Sequence, residues 1–233
     1  GDIVDQPTRS LRTLKDDGVE FVLTDLSQDE HDLYYLHYAN SVLWPVFHYR
    51  IDLASFDAEA FQSYVAVNQR IAGLVADRLR EGDSVWVHDY HFLLMGDALR
   101  RSGWEGPIGF FLHIPFPAPE IFRALPEHQW IARAMCAYNV VGFQSTTDAS
   151  NFRRYLSEDC RGEEAEDGLI SVFGRMVRVR DYPIGIDAES FRQASQSETA
   201  NTAAHRIGHF LGDRSLVIGV DRMDYSKGLP QRF

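Results

Sequence analysis

The stretch SVWVHDYHFLLMGDALRRSGWEGPIGFFLH, residues 84–113, decides the architecture. It opens on a short β run, SVWVH (84–88), and passes through helical spacing over 92–102 that stops at Gly103. It closes on a second apolar strand, IGFFLH (108–113). A strand, a helix and another strand within about thirty residues form the unit from which parallel sheets are built. Both strands are apolar on two faces, as strands covered by helices above and below must be.

The same alternation continues outward. NVVGF (139–143) reads as a third such strand, with a helix starting at Thr147 or Asp148, and SLVIGVDR (215–222) as a fourth. Residues 169–182 read as a β-hairpin turning at Gly174. Upstream, VEFVLT (19–24) is a strand, and Ser27 with Glu30 forms a capping box that opens a helix through about Ala39. Over 57–81, Phe61, Tyr64, Val65, Ile71, Val75 and Leu79 fall on one helix face, with Gly82 as the C-cap. The expected fold class is α/β, a Rossmann-like parallel sheet with flanking helices. The stretch 192–203, rich in Ala, Ser, Gln and Thr, is the expected linker.

Composition narrows the function classes. In 233 residues, 45% are hydrophobic and 24% charged, the ordinary globular range. A net charge of −11 argues against a general nucleic-acid binder, so an anionic ligand needs a local cationic pocket. The two cysteines, Cys136 and Cys160, form no metal or redox motif and suit a reducing compartment. No apolar run reaches membrane-spanning length and no secretory segment opens the chain, so a soluble, cytoplasmic protein is expected. Gly1 at the start, and an end at Phe233 where a helix is beginning, read as a piece of a longer protein.

In open α/β sheets, ligands bind beyond the carboxyl ends of the strands. The residues that follow the four strands are Asp89, His113, Gln144 with Ser145, and Arg222 with Lys227. The run His88-Asp89-Tyr90-His91 allows several readings. Metal binding lacks the i,i+4 spacing and a third ligand, and a serine triad lacks a nucleophile elbow. What remains is a core histidine beside an N-capping aspartate, or a pocket in which Asp89 grips a polar ligand. His113 is either a core histidine or a group held by the stiff loop FLHIPFP (111–117). In VDRMDYSKG (220–228), Arg222 and Lys227 flank a turn into an expected helix start. Two cations and a helix N-terminus suit a diphosphate, the alternative being a solvated surface pair. No P-loop and no G-x-G-x-x-G follows any strand.

Taken in order, YYLHYANSVLWPVFHYR, VWVHDYHFLL, GFFLHIPFPAPEIFRALP, VGFQS, YPIGID and VDRMDYSKGLPQRF resemble the trehalose-6-phosphate synthase family. These are retaining glycosyltransferases of the two-Rossmann GT-B type. The resemblance implies transfer of glucose from UDP-glucose to glucose 6-phosphate, giving trehalose 6-phosphate and UDP, with no metal cofactor. It implies that Tyr35 and Trp44 line the acceptor phosphate, Asp89 holds the acceptor sugar and His113 meets the donor glucose. Arg222 and Lys227 would bind the donor diphosphate. It also implies an acceptor-side domain over 1–200, and a linker helix with the first strand of a nucleotide-sugar domain over 201–233. The glycine-rich donor loop and most of the second domain would lie outside the chain, which is then expected to be inactive alone. Two alternatives share these motifs: a sugar-phosphate-sensing regulatory subunit of the same fold, and a pseudo-glycosyltransferase joining cyclitols. The resemblance leaves a homo-oligomeric parent open.

Overall fold

The computed structural model describes residues 2–5, 11–212, 214–229 and 232. The chain divides into two compact units, Gly1–Pro183 and Ile184–Phe233. The first holds ten strands among the described residues: β1 (Ile3–Val4), β2 (Arg12–Asp16), β3 (Val19–Leu23), β4 (Leu26–Ser27), β5 (Val85–His88), β6 (Ile108–Leu112), β7 (Val140–Phe143), β8 (Glu163–Glu164), β9 (Leu169–Val172) and β10 (Arg175–Asp181). Six of them form one sheet in the order β5-β6-β7-β10-β9-β8. Within it β5, β6, β7 and β10 run parallel, and β9 and β8 extend the edge antiparallel. The α/β expectation therefore holds, with β10 as the fourth parallel strand where residues 215–222 were expected. The β9–β10 turn falls on Phe173 and Gly174, both with positive φ, which is the tight hairpin geometry that glycine permits.

VEFVLT does form a strand, but β3 pairs only with β2 in a separate two-stranded hairpin, largely exposed. Ser27 caps α1 (Gln28–Glu30) through the expected box: Glu30 N donates to Ser27 Oγ at 3.0 Å, and Ser27 N donates to Glu30 Oε2 at 2.9 Å. Arg70 clamps the same Glu30 at 2.9 Å, so the cap also ties this helix to its neighbour. The helix does not stop near Ala39. It continues as π-helical turns over His31–Leu43, then as α2 (Trp44–Phe47), whose second residue, Pro45, brings no N–H to the helix. Further helices are α3 (Ala58–Ala76), α4 (Met95–Arg101), α5 (Pro119–Phe122), α6 (His128–Met135) and α7 (Thr146–Cys160).

The core is strongly aromatic. Phe116 lies fully buried against Phe122 at 4.9 Å, Phe152 at 5.0 Å, and Phe47 and Phe143 at 5.6 Å. Its backbone is held as well: Phe116 N donates to Asp148 Oδ1 at 2.9 Å, and Asn151 Nδ2 donates to Phe116 O at 3.0 Å. This anchor fixes the proline-punctuated loop after β6. Truncation of such a residue costs about 3–5 kcal/mol.

The second unit contains α8 (Ala188–Ser195) and α9 (Glu198–Leu211). The expected linker 192–203 is thus helical on both sides of Gln196, with Ser197 capping α9. Residues 214–222 form no strand. Val217 and Val220 are 93% and 87% exposed, so this β-type sequence has no neighbour among the described residues to complete a ladder. No described helix is long and apolar enough to cross a membrane.

Candidate active site

Asp89 follows β5 in a backbone conformation, φ 72° and ψ 168°, that is almost exclusive to glycine. Four hydrogen bonds hold it there, one of them from Phe92 N to Asp89 O at 3.0 Å. Asp89 N donates to Phe111 O at 2.8 Å, and Asp89 Oδ1 accepts from Tyr90 N at 3.0 Å and from His113 N at 3.3 Å. The carboxylate thus caps the short turn Tyr90–Phe92, as the sequence allowed, and also latches the end of β5 to the end of β6. No described protein group bonds its other oxygen. Capping and ligand gripping are therefore compatible uses of one side chain.

The whole run 88–91 acts as a hub. His88 Nδ1 lies 2.9 Å from His113 Nε2, and both residues are exposed. Tyr90 packs on Trp44 with ring centroids 5.6 Å apart. His91 stacks on Tyr35 at 5.4 Å with ring planes 13° apart, and His31 also stacks on Tyr35 at 5.6 Å. Four consecutive residues, Asp89 among them, thereby gather Tyr35, Trp44 and His113, which completes the four first-unit residues expected at the site.

The π-helical turns explain how one helix supplies two of these groups. Tyr35 and Trp44 are nine positions apart. An α-helix turning about 100° per residue would put them on opposite sides. Backbone bonding from i to i−5, seen where the Trp44 N–H reaches Ala39 O, turns roughly 80° per residue and returns them to the same side.

Behind the hub stand residues that sequence reading assigned to packing or did not single out. Fully buried Tyr64 donates from its hydroxyl to Tyr90 O at 2.6 Å and accepts from Leu93 N at 3.0 Å. Asn68, also fully buried, donates to His91 O at 3.1 Å. One signal was available: an asparagine at i+4 from Tyr64, on the apolar stripe of α3, had to have a polar duty. Burial lowers the pKa of His91, with Asp89 opposing; burial and then His113 lower that of His88, again against Asp89. Both rings are thereby held toward their neutral forms.

A cavity of about 510 Å³ lies beside the aromatic stack, lined by His31, Tyr34, Tyr35, His91 and Phe92 among others. A larger hollow of about 720 Å³, lined by Glu20, Val22, Ile71, Arg78 and Asp83 among others, contains none of the expected site residues. Ser145, one of the polar groups expected at the sheet edge, is occupied as the cap of α7, its Oγ accepting from Asp148 N at 3.2 Å. Among the described residues no group of three or more His, Cys, Asp or Glu is arranged to hold a metal ion.

Arg222 and Lys227 belong to the second unit. Arg222 is exposed and follows the segment that forms no strand; Lys227 is half-buried and ends a single turn, Tyr225–Lys227, closed by left-handed Gly228. The expected helix start is therefore one three-residue turn capped by Asp224, too short to carry a helix dipole. Pro230, Gln231 and Phe233, where that helix was expected to run on, lie outside the described residues.

Comparison with known proteins identifies the family. Residues 4–233 match glycosyltransferase family 20. A trehalose-6-phosphate synthase of Sodalis glossinidius is 40% identical over 230 residues, covering 99% of this chain and 49% of the relative. A trehalose-phosphate synthase of Burkholderia xenovorans, solved in complex with glucose-6-phosphate, superposes with a TM-score of 0.89 at 36% identity, over 100% of this chain and 52% of that one. An Escherichia coli structure bound with UDP-2-fluoro glucose gives 0.92 at 35% identity, over 99% and 51%. The chain spans about half the length of the curated relatives it matches. With its sequence matched almost end to end and its backbone superposing on theirs, the chain belongs to glycosyltransferase family 20.

Proposed function

We propose that this chain carries the acceptor side of a retaining glucosyltransferase that moves glucose from UDP-glucose to glucose 6-phosphate, giving trehalose 6-phosphate and UDP. The observation that carries the reading is the convergence of Tyr35, Trp44 and His113 on residues 88–91, the run that contains Asp89. Relatives solved with glucose-6-phosphate and with UDP-2-fluoro glucose support the choice of ligands. In this reading Tyr35 and Trp44 flank the acceptor phosphate, and Asp89 accepts hydrogen bonds from acceptor hydroxyls through its unengaged oxygen. His113 meets the donor sugar. A preformed set of this kind fixes the attacking hydroxyl before the bond changes begin.

The transfer breaks the bond between the anomeric carbon and the diphosphate and forms one to the acceptor oxygen. The acceptor proton leaves with the diphosphate. Charge grows on that leaving group, and we assign its neutralisation to Arg222 and Lys227 rather than to a metal. The reaction belongs in the cytoplasm, in keeping with free thiols at Cys136 and Cys160.

The test is product analysis in a polypeptide of the relatives' full length that carries this sequence. The expected product from UDP-glucose and glucose 6-phosphate is trehalose 6-phosphate, with the donor's anomeric configuration kept. Arg222→Ala and Lys227→Ala should each lower kcat by about 10²–10³, the usual cost of removing a preorganised charge-stabilising donor. Binding of both ligands with no transfer would replace the enzyme reading with a sensor. Wild-type kcat after loss of both cations would remove them from the diphosphate.

A further inference from the structure

Of the two histidines that meet where β5 and β6 end, His113 has a proposed ligand and His88 has none. Their geometry links them. His88 is the last residue of β5, paired in register with Phe111 of β6, and His113 stands two residues beyond that partner. The sheet therefore delivers both rings to one edge. Their nitrogens are 2.9 Å apart while the ring centroids are 5.2 Å apart and the planes 29° apart. The rings meet edge to edge through one N···N contact, not face to face. Trp86 at 5.8 Å from the His88 ring and Phe111 at 4.7 Å from the His113 ring limit how either can turn.

One N···N contact holds one hydrogen. Of the two ways to place it, donation from His113 Nε2 to His88 Nδ1 leaves both rings in the Nε2–H tautomer that an unconstrained histidine side chain prefers. The reverse direction would force both into the Nδ1–H form. We infer that His88 is a positioning residue for His113, accepting its Nε2–H and so leaving His113 Nδ1 as a fixed acceptor for a sugar hydroxyl. Only the identity of that hydroxyl's owner rests on the proposed transfer reaction. The pKa of His88, lowered first by burial and then by His113, agrees with a neutral ring that accepts at Nδ1. Among the described residues, the titratable groups that act on His88 are His113 and Asp89, and the Asp89 carboxylate only partly offsets the lowering. His113 Nδ1 has no protein partner among the described residues.

The test reads ring nitrogens directly. Long-range ¹H–¹⁵N spectra of the labelled chain at neutral pH should show His88 and His113 both protonated at Nε2, with a nitrogen–nitrogen coupling across the bridge. An Nδ1–H signal from His113 would overturn the assignment, and it needs neither a variant nor a substrate. His88→Phe should return His113 to averaged tautomer shifts, and His88→Asn, whose side-chain oxygen can occupy the position of Nδ1, should restore the single form. Unchanged His113 shifts in a folded His88→Phe chain would equally contradict it. In the full-length polypeptide, His88→Phe should lower the rate by about tenfold, the rate equivalent of one ordinary hydrogen bond, with His88→Asn rescuing it. Failure of transfer with the bridge intact would count against the proposed reaction, while loss of the bridge would count against this inference.

Discussion

Asp89 concentrates the tension between stability and use at a single residue. Its φ of 72° with an extended ψ belongs to a region in which a side chain costs about 1–3 kcal/mol. Replacing it with glycine and with alanine removes the same carboxylate bonds, but only glycine relieves the backbone. Asp89→Gly should therefore be more stable to urea than Asp89→Ala by about 1–3 kcal/mol, and neither should bind the acceptor sugar. Equal stabilities would mean that the residue carries no strain. His91 makes a pH-dependent contribution. Burial sets its folded pKa below the unfolded value of about 6.5, so the unfolded chain takes up the proton first. The stability that depends on neutral His91 is complete above about pH 6.5 and is lost as pH falls from there toward the lowered folded value. His91→Phe should reduce the slope of unfolding free energy below about pH 6.5, leaving the His88 contribution in place. An unchanged slope would show that His91 is not held neutral.

At the scale of elements, the readable parts were those whose signal is local. The capping box at Ser27 and Glu30 and the turn at Gly174 are chemical rules about a few neighbours, and both stand in the structure. The apolar runs 84–88, 108–113 and 139–143 carried enough two-sided burial to mark the parallel strands. The long helix at 28–47 was cut short because its winding is not 3.6 residues per turn. Periodic reading at the ordinary pitch breaks in the very segment where Tyr35 and Trp44 come to share a side. Residues 215–222 failed for the opposite reason. A β-type sequence becomes a strand only beside a partner, and none of the described residues supplies one.

At the scale of the molecule, Asp89 and His113 could be placed in the sequence by their position after strands. Tyr35 and Trp44 rested on the family resemblance. The role of Tyr64 lay hidden within an apolar stripe, since sequence spacing does not tell a buried hydroxyl from a packing ring, whereas Asn68 on the same stripe was a readable signal. What the structure adds is a mechanism of assembly: one tetrapeptide, His88 to His91, contains Asp89 and holds the other three groups, His113, Trp44 and Tyr35, through His88, Tyr90 and His91 in turn. The most direct test is nuclear magnetic resonance of the full-length polypeptide, labelled at Trp indole, Tyr ring and His ring positions, during titration with glucose 6-phosphate. The expected result is that Trp44, Tyr35 and the ring of His91 shift together along one saturating curve. A saturating response confined to other residues, such as those lining the hollow around Glu20 and Arg78, with Tyr35 and Trp44 unmoved, would contradict the account.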